Sequence, residues 1–231
     1  MPGAAACPRH GRAILPGMAA TPWQEQVAYY RARAAEYDLT SYRDVHGADR
    51  RVAALVGWLR PGGDLLEIAC GTGMWTRHLA DCAATVTAID AAPEMIALAR
   101  QQVTAGTVTF VTADILTWAP SRRFDTVFFA FWLSHVPASE FGRFWSLVRS
   151  ALASGGRVLF VDDQPAAAAL ETYVEGSGEV VQRRLRDGTR HRLIKVARDP
   201  ADLTRQLTDL GWQATITRSG DWLAGQARPV P

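Results

Sequence analysis

Between residues 64 and 163 the sequence repeats one pattern: a short apolar run, a turn, then an amphipathic stretch. The apolar runs are DLLEIA (64–69), ATVTAID (84–90), VTFVTAD (108–114), FDTVFFA (124–130) and RVLFVDD (157–163). Between them, MWTRHLADCA, APEMIALARQQV and SEFGRFWSLVRSALAS space their apolar residues three and four apart, as one face of a helix does. Pro93 stands in the first turn of the second helix, and the third is expected to end at Gly155-Gly156. Strands apolar throughout, alternating with helices, belong to a parallel sheet covered on both faces, so the fold class is a doubly wound α/β sheet. In such a sheet ligands bind beyond the carboxyl ends of the strands.

The flanks extend this core. Residues 1–21 are rich in Ala, Gly and Pro and read as a disordered tail, with Met18 a candidate natural start. Residues 22–231 then form a single domain. Its first part, 22–61, is a helical cap: WQEQVAYYRARAAEYD sets Val27, Tyr30, Ala34 and Tyr37 on one face, and ADRRVAALVGWLR stops at Pro61-Gly62-Gly63. Later, VVQRRLR and TRHRLIKV flank Asp187-Gly188, a hairpin signal within an expected lid over 174–197. A helix after Asp199-Pro200 and two closing strands, WQATITR and DWLAGQA, complete a seven-stranded sheet.

The first strand ends in LLEIACGTG (65–73), whose glycines let backbone approach a ligand closely. A triphosphate loop is excluded because no GxxxxGK[ST] supplies a lysine. The dinucleotide fingerprint lacks its third glycine: Gly71-Thr72-Gly73 is followed by Met74, Trp75 and Thr76. What remains is acidic. Glu67, Asp90 and Asp114 fall near the ends of successive strands and are expected to line one rim of the sheet. A cationic, phosphate-free ligand carrying a ribose and an adenine amine suits that rim, with Asp90 accepting ribose hydroxyls and Asp114 accepting from the amine. The plainer reading makes both turn acids.

LLEIACGTG, VTAIDAAPEMIALAR, VTADI, RFDTVFFAFWLSHV and ASGGRVLFVDD together resemble the ordered motifs of the class I S-adenosylmethionine-dependent methyltransferases, which have a Rossmann-like seven-stranded sheet. YYRARAAEYD, GTGMWTRHL, FWLSHVP, FWSLVRSALASGG and the hairpin ending LIKV further resemble a small bacterial subgroup. That subgroup methylates acidic oxygens of small metabolites and includes the phosphonate O-methyltransferase of dehydrophos biosynthesis. The resemblance implies S-adenosylmethionine as cofactor, held by Tyr30, Arg33, Tyr37, Glu67, Ala69, Gly71, Gly73, Asp90, Ala91, Met95, Asp114, Ile115 and Ala130. Within this set Met95 and Ile115 are expected to sandwich the adenine, Arg33 to pair with the methionine carboxylate and Tyr37 to abut the sulfonium, as a cation abuts an aromatic face.

The acceptor side is expected at Tyr42, Trp75, His135, Arg183 and Lys195. Residues 179–199 hold seven basic and three acidic side chains, a local +4 in a chain whose net charge is +2. Strand alternation sets Arg183 with Leu185 and Lys195 with Leu193, inward on a lid that binds an anion. The plainer reading is a solvated hairpin whose charges discourage edge pairing. His135 follows strand four, and an imidazole near its reference pKa of about 6.5 is placed there for proton transfer. Against that stands an ordinary turn histidine.

The expected function is therefore methylation of an acidic oxygen of a small anionic metabolite, in natural-product biosynthesis. The alternatives are a neutral phenol, amine or carbon acceptor with His135 as base, or a non-catalytic module of the same fold. The chain's modest net charge argues against nucleic acid as partner. Sparse cysteines suggest a reducing cytoplasm, scattered histidines no metal, and the absence of a long apolar run no membrane span. A monomer or homodimer is expected.

Overall fold

The computed structural model describes residues 20–42 and 44–230. Met18 and most of the expected tail lie outside the described residues. Thr21, assigned to the tail, instead caps the first helix: its hydroxyl accepts from Gln24 N–H while the Gln24 side chain accepts from Thr21 N–H.

The described chain runs α1 (Pro22–Arg33), a 3₁₀ turn, α2 (Tyr37–Ser41), α3 (Val45–Leu59), β1 (Asp64–Ile68), α4 (Met74–Ala80), β2 (Thr85–Asp90), α5 (Pro93–Gln102), β3 (Val108–Thr112), β4 (Phe124–Ala130), α6 (Phe141–Ala151), β5 (Leu152–Asp163), β6 (Val180–Arg184), β7 (Arg190–Ile194), α7 (Pro200–Asp209), β8 (Trp212–Ser219) and β9 (Trp222–Pro229). Seven strands form one sheet in the order β3-β2-β1-β4-β5-β9-β8, and β6 pairs with β7 in a separate antiparallel hairpin. All neighbours from β3 to β5 are parallel, whereas β9 runs antiparallel to both β5 and β8.

The two-residue period of the strands builds two cores. Leu66, Ile68, Val127, Phe129, Val158 and Phe160 meet Phe144, Trp145 and Val148 of α6 and Leu203 and Leu207 of α7. Leu65, Phe128, Leu159 and Val161 face the other way, against Val52, Val56 and Leu59 of α3 and Leu79 of α4.

One boundary differs from expectation. α6 ends at Ala151 rather than in the glycine pair, because Leu152 turns extended, buries its side chain and pairs with Phe124 of β4. A bulge over 153–156 then precedes the regular ladder. The sheet order reverses direction between β1 and β4, and α1 and the hairpin stand over that crevice. They are joined by Ile194 N–H donating to the Gln26 side chain (3.1 Å) and by the Arg192–Glu25 ion pair. Among the described residues no helix is long and apolar enough to cross a membrane.

Candidate active site

Two residues without glycine's freedom adopt the left-handed region at the head of the crevice: Ala69 (φ 57°) just after β1 and Phe131 (φ 52°) just after β4. Such conformations cost roughly 1–3 kcal/mol each and collect at functional sites. Between β1 and α4, Gly71 (φ 55°) has nothing within 4 Å of where a Cβ would stand, so the loop presents open backbone. Gly73 (φ 89°) serves packing instead, since a Cβ there would come within 3.1 Å of Val103 and 3.2 Å of Ala99.

Two cavities meet under this arch. The first, of about 700 Å³ with its mouth included, is lined by Ala69, Gly71, Asp90, Ala91, Met95, Asp114, Ile115 and Ala130 at the strand ends. α1 closes it with Trp23, Gln26, Val27 and Tyr30. Asp90 anchors the glycine loop: its two carboxylate oxygens accept from Gly71 N–H (2.9 Å) and Ala92 N–H (2.8 Å), each keeping a second acceptor direction. Burial raises its pKa, opposed by those backbone bonds. Asp114 accepts from Leu116 N–H (2.9 Å) and from the Trp23 indole N–H (3.0 Å). Trp23 itself meets Trp132 edge to face at 5.6 Å.

The second cavity is wider and polar, about 1750 Å³ with its open side included. Its walls carry Arg33, Arg51, Arg183 and Lys195 against Asp44, Asp163, Glu171 and Asp221, with Tyr42 among them. Tyr30, Tyr37, Phe131 and His135 line both cavities and form the partition.

His135 is buried, 4% exposed, and both ring nitrogens are engaged. Nδ1 lies 2.7 Å from the Ile194 carbonyl, so it carries the proton and donates; Nε2, 3.0 Å from the Tyr30 hydroxyl, then accepts from it. The expected ordinary histidine pKa is corrected here: burial, then the charges of Lys195 and Arg183, push it well down. Burial also raises the Tyr30 phenol, so Tyr30 is a neutral donor.

Several other expectations are revised by the geometry. Glu67 does not reach the rim: it is 2% exposed inside β1 behind the glycine loop, and its Oε2 and the neighbouring Thr76 hydroxyl both lack hydrogen-bond partners among the described residues. Burial pushes its carboxyl up to about 8, and the Asp90 charge assists. Gly73 and Trp75 line neither cavity; Trp75 packs against Phe128, Phe131 and Trp222. Arg33 lines the second cavity and not the first, with its guanidinium on the Tyr37 ring (4.9 Å) and donating to Thr40 and Ser41 hydroxyls.

The +4 of the hairpin is also largely engaged. Arg183 pairs with Glu171, Arg186 with Glu36, Arg192 with Glu25 and Lys195 with Asp163 (2.7 Å), while Arg198 donates to the carbonyls of Leu133 and Val136. Arg183 and Lys195 still turn inward as alternation requires, and Lys195 is 5% exposed with Nζ also on Ser134 Oγ (3.0 Å). Trp23, Gln26, Phe131, Glu171 and Asp163 are site residues that the sequence did not single out. Trp23 meets Asp114 across 91 positions, and no local signal reports such a contact.

This sheet, with an acid at the end of β2, open glycine backbone beside it and an enclosed apolar cavity, is a nucleoside-binding α/β site opening onto a second chamber. A methyltransferase domain model matches residues 65–156. Two solved structures are similar over nearly the whole chain. A DhpI–SAH complex is 42% identical with a TM-score of 0.79, covering 91% of this chain and 98% of that one. A DhpI–SAM–HEP complex is 40% identical with a TM-score of 0.80, covering 92% and 100%. Among curated proteins, a ubiquinone biosynthesis O-methyltransferase of Xanthomonas euvesicatoria is 31% identical over 66% of this chain and 63% of its own length. A dTDP-3-amino-3,6-dideoxy-alpha-D-glucopyranose N,N-dimethyltransferase of Streptomyces fradiae is 41% identical over 32% of this chain and 31% of its own. The chain thus spans less than two thirds of these two curated relatives. It belongs to the class I S-adenosylmethionine-dependent methyltransferases, and S-adenosylmethionine is its cofactor.

Proposed function

We propose that this protein transfers the methyl group of S-adenosylmethionine to an acidic oxygen, a carboxylate or phosphonate, of a small metabolite. One observation carries the reading: the enclosed cavity and the polar cavity share the partition Tyr30–Tyr37–Phe131–His135, and Arg183 and Lys195 line the polar side.

The first cavity fits the cofactor in chemistry. Asp90 has acceptor directions left for ribose hydroxyls, Met95 and Ile115 offer apolar faces for adenine, Asp114 stands at the adenine end, and Gly71 leaves room for the amino-acid portion. Bound there, S-adenosylmethionine supplies a methyl on a sulfonium, which leaves as a neutral thioether. Tyr30 and Tyr37 hold aromatic faces at the partition, where positive charge is favoured.

The protein's own residues supply orientation and exclude water. An acidic oxygen is ionised at neutral pH and attacks without a base, so holding it in line provides much of the rate. Arg183 and Lys195 are fixed by Glu171 and Asp163 and present their remaining N–H groups to the cavity. His135 fixes the Tyr30 hydroxyl. Its depressed basicity and occupied Nε2 argue against the alternative, a neutral acceptor deprotonated by His135. The resemblance of the sequence motifs to the dehydrophos subgroup supports a natural-product setting, and the free Cys70 and Cys82 suit the cytoplasm.

The test is turnover with methyl-labelled cofactor on size-matched carboxylic acids, phosphonic acids, phenols and amines. Methyl esters of the acids are expected. Turnover confined to phenols or amines refutes the acceptor class, and cofactor binding without turnover on any class indicates a binding module.

A further inference from the structure

At the far end of the sheet from both cavities, a groove lies between the 153–156 bulge of β5 and the end of β9. Arg123, Arg149 and Arg228 line it beside Gly155, Gly156 and Val230, and its volume is about 1040 Å³ with its open side included. Among the described residues no acidic side chain lines it.

Each of these guanidiniums is held by main-chain carbonyls rather than by a carboxylate. Arg123 Nη1 donates to Leu152 (2.9 Å), Arg228 Nη1 to Gly155 (2.8 Å), and Arg149 Nη2 to Leu210 (3.0 Å) and Gly211 (2.6 Å). Arg149 also stacks on Trp212, 4.9 Å from its ring centre. Arg157 stands beside them, donating to the Arg60 carbonyl, and burial together with the charges of Arg228 and Arg60 depresses its pKa.

Among the described residues none of Arg123, Arg149 and Arg228 forms an ion pair. Three guanidiniums without a carboxylate partner therefore line one groove. Each carbonyl anchor occupies one nitrogen of a planar fork and fixes the plane, leaving other N–H donors for a ligand. Preset forks of this kind match anions with several oxygens, and phosphate above all. The concave shape and its size suit a small molecule rather than an extended surface.

We propose that this groove binds a small ligand bearing phosphate, at a site separate from the methyl-transfer cavities. The test is calorimetric titration of the intact protein with pyrophosphate at low ionic strength, with inorganic phosphate as a second probe. Saturable pyrophosphate binding is expected in the wild type. It should persist in Arg183→Ala/Lys195→Ala, which disables the acceptor cavity, and weaken at least tenfold in Arg123→Gln/Arg228→Gln. Because both replaced side chains are exposed, the double variant should melt as the wild type does; should it not, Arg228→Gln alone is measured and a loss of at least threefold is expected. The proposal is overturned by unsaturable binding, by equal affinity in the groove variant, by loss of binding in the cavity variant, or by binding to RNA or anionic vesicles without any to pyrophosphate.

Discussion

Replacing Asp90 by alanine separates two jobs that one carboxylate performs. In the structure its oxygens hold Gly71 N–H at 2.9 Å and Ala92 N–H at 2.8 Å, and it also lines the cofactor cavity. The first job is structural: two backbone donors lose a charged acceptor, at about 1–3 kcal/mol each if water does not replace it. The second is binding: ribose hydroxyls lose that acceptor, at about 1.5–3 kcal/mol, or a Kd raised roughly 10- to 160-fold. Asparagine is no neutral substitute, because its amide has one oxygen and would set an NH₂ against one of the two N–H groups. The assay is calorimetry with S-adenosylhomocysteine and an analogue lacking the ribose hydroxyls, on wild type and Asp90→Ala. The wild type should bind the analogue weakly, and the variant should bind both ligands about equally, since the contact is already gone. A folded variant that binds S-adenosylhomocysteine as the wild type does, or that discriminates against the analogue as strongly, refutes the assignment.

Three further outcomes follow from the site. Arg183→Ala and Lys195→Ala should raise the KM for an acidic acceptor with cofactor Kd nearly unchanged; loss of cofactor affinity with acceptor KM kept would contradict the division between cavities. His135→Ala should lower kcat only modestly, by less than about a hundredfold, and the wild-type rate should show no inflection near pH 6.5, because the buried imidazole stays neutral well below that pH; a thousandfold loss with folding and cofactor binding intact would point to a neutral hydroxyl acceptor. Glu67, at about 8 in the fold against an ordinary 4.5, binds its proton more tightly folded than unfolded, so stability should fall as pH rises between those values, at up to about 1.4 kcal/mol per pH unit. His135 is shifted the opposite way and contributes only below about pH 6.5, so melting measured from pH 6.5 to 8 should show the decline in wild type and its reduction in Glu67→Gln; equal slopes would sink the assignment.

The sequence reveals the architecture well and the partners poorly. The five parallel strands were legible because their apolar runs are strong and bounded, and the hairpin because Asp187-Gly188 fits its turn. Helical apolar spacing continues into Leu152, so periodicity alone carries α6 too far, and only the pairing with Phe124 decides for strand. Counting from the strand's end sets Glu67 on the rim. Side chains alternate, however, and a residue one short of that end points into a layer of the core. Asp90, the last residue of β2, does reach the cavity. Helical spacing placed Arg33 and Tyr37 near the site without saying which cavity each faces. The charge count on the hairpin is legible from its own residues and its pairing is not, since Glu25, Glu36, Asp163 and Glu171 come from distant segments.

In the proposed reaction the methyl group passes between two cavities divided by Tyr30, Tyr37, Phe131 and His135. A crystal structure with S-adenosylhomocysteine and an accepted acid tests it most directly. The sulfur is expected at that partition and the acid oxygen in line beyond it, with the acid group touching Arg183 and Lys195. An acid bound away from those two residues, or a sulfur facing away from the partition, would contradict it.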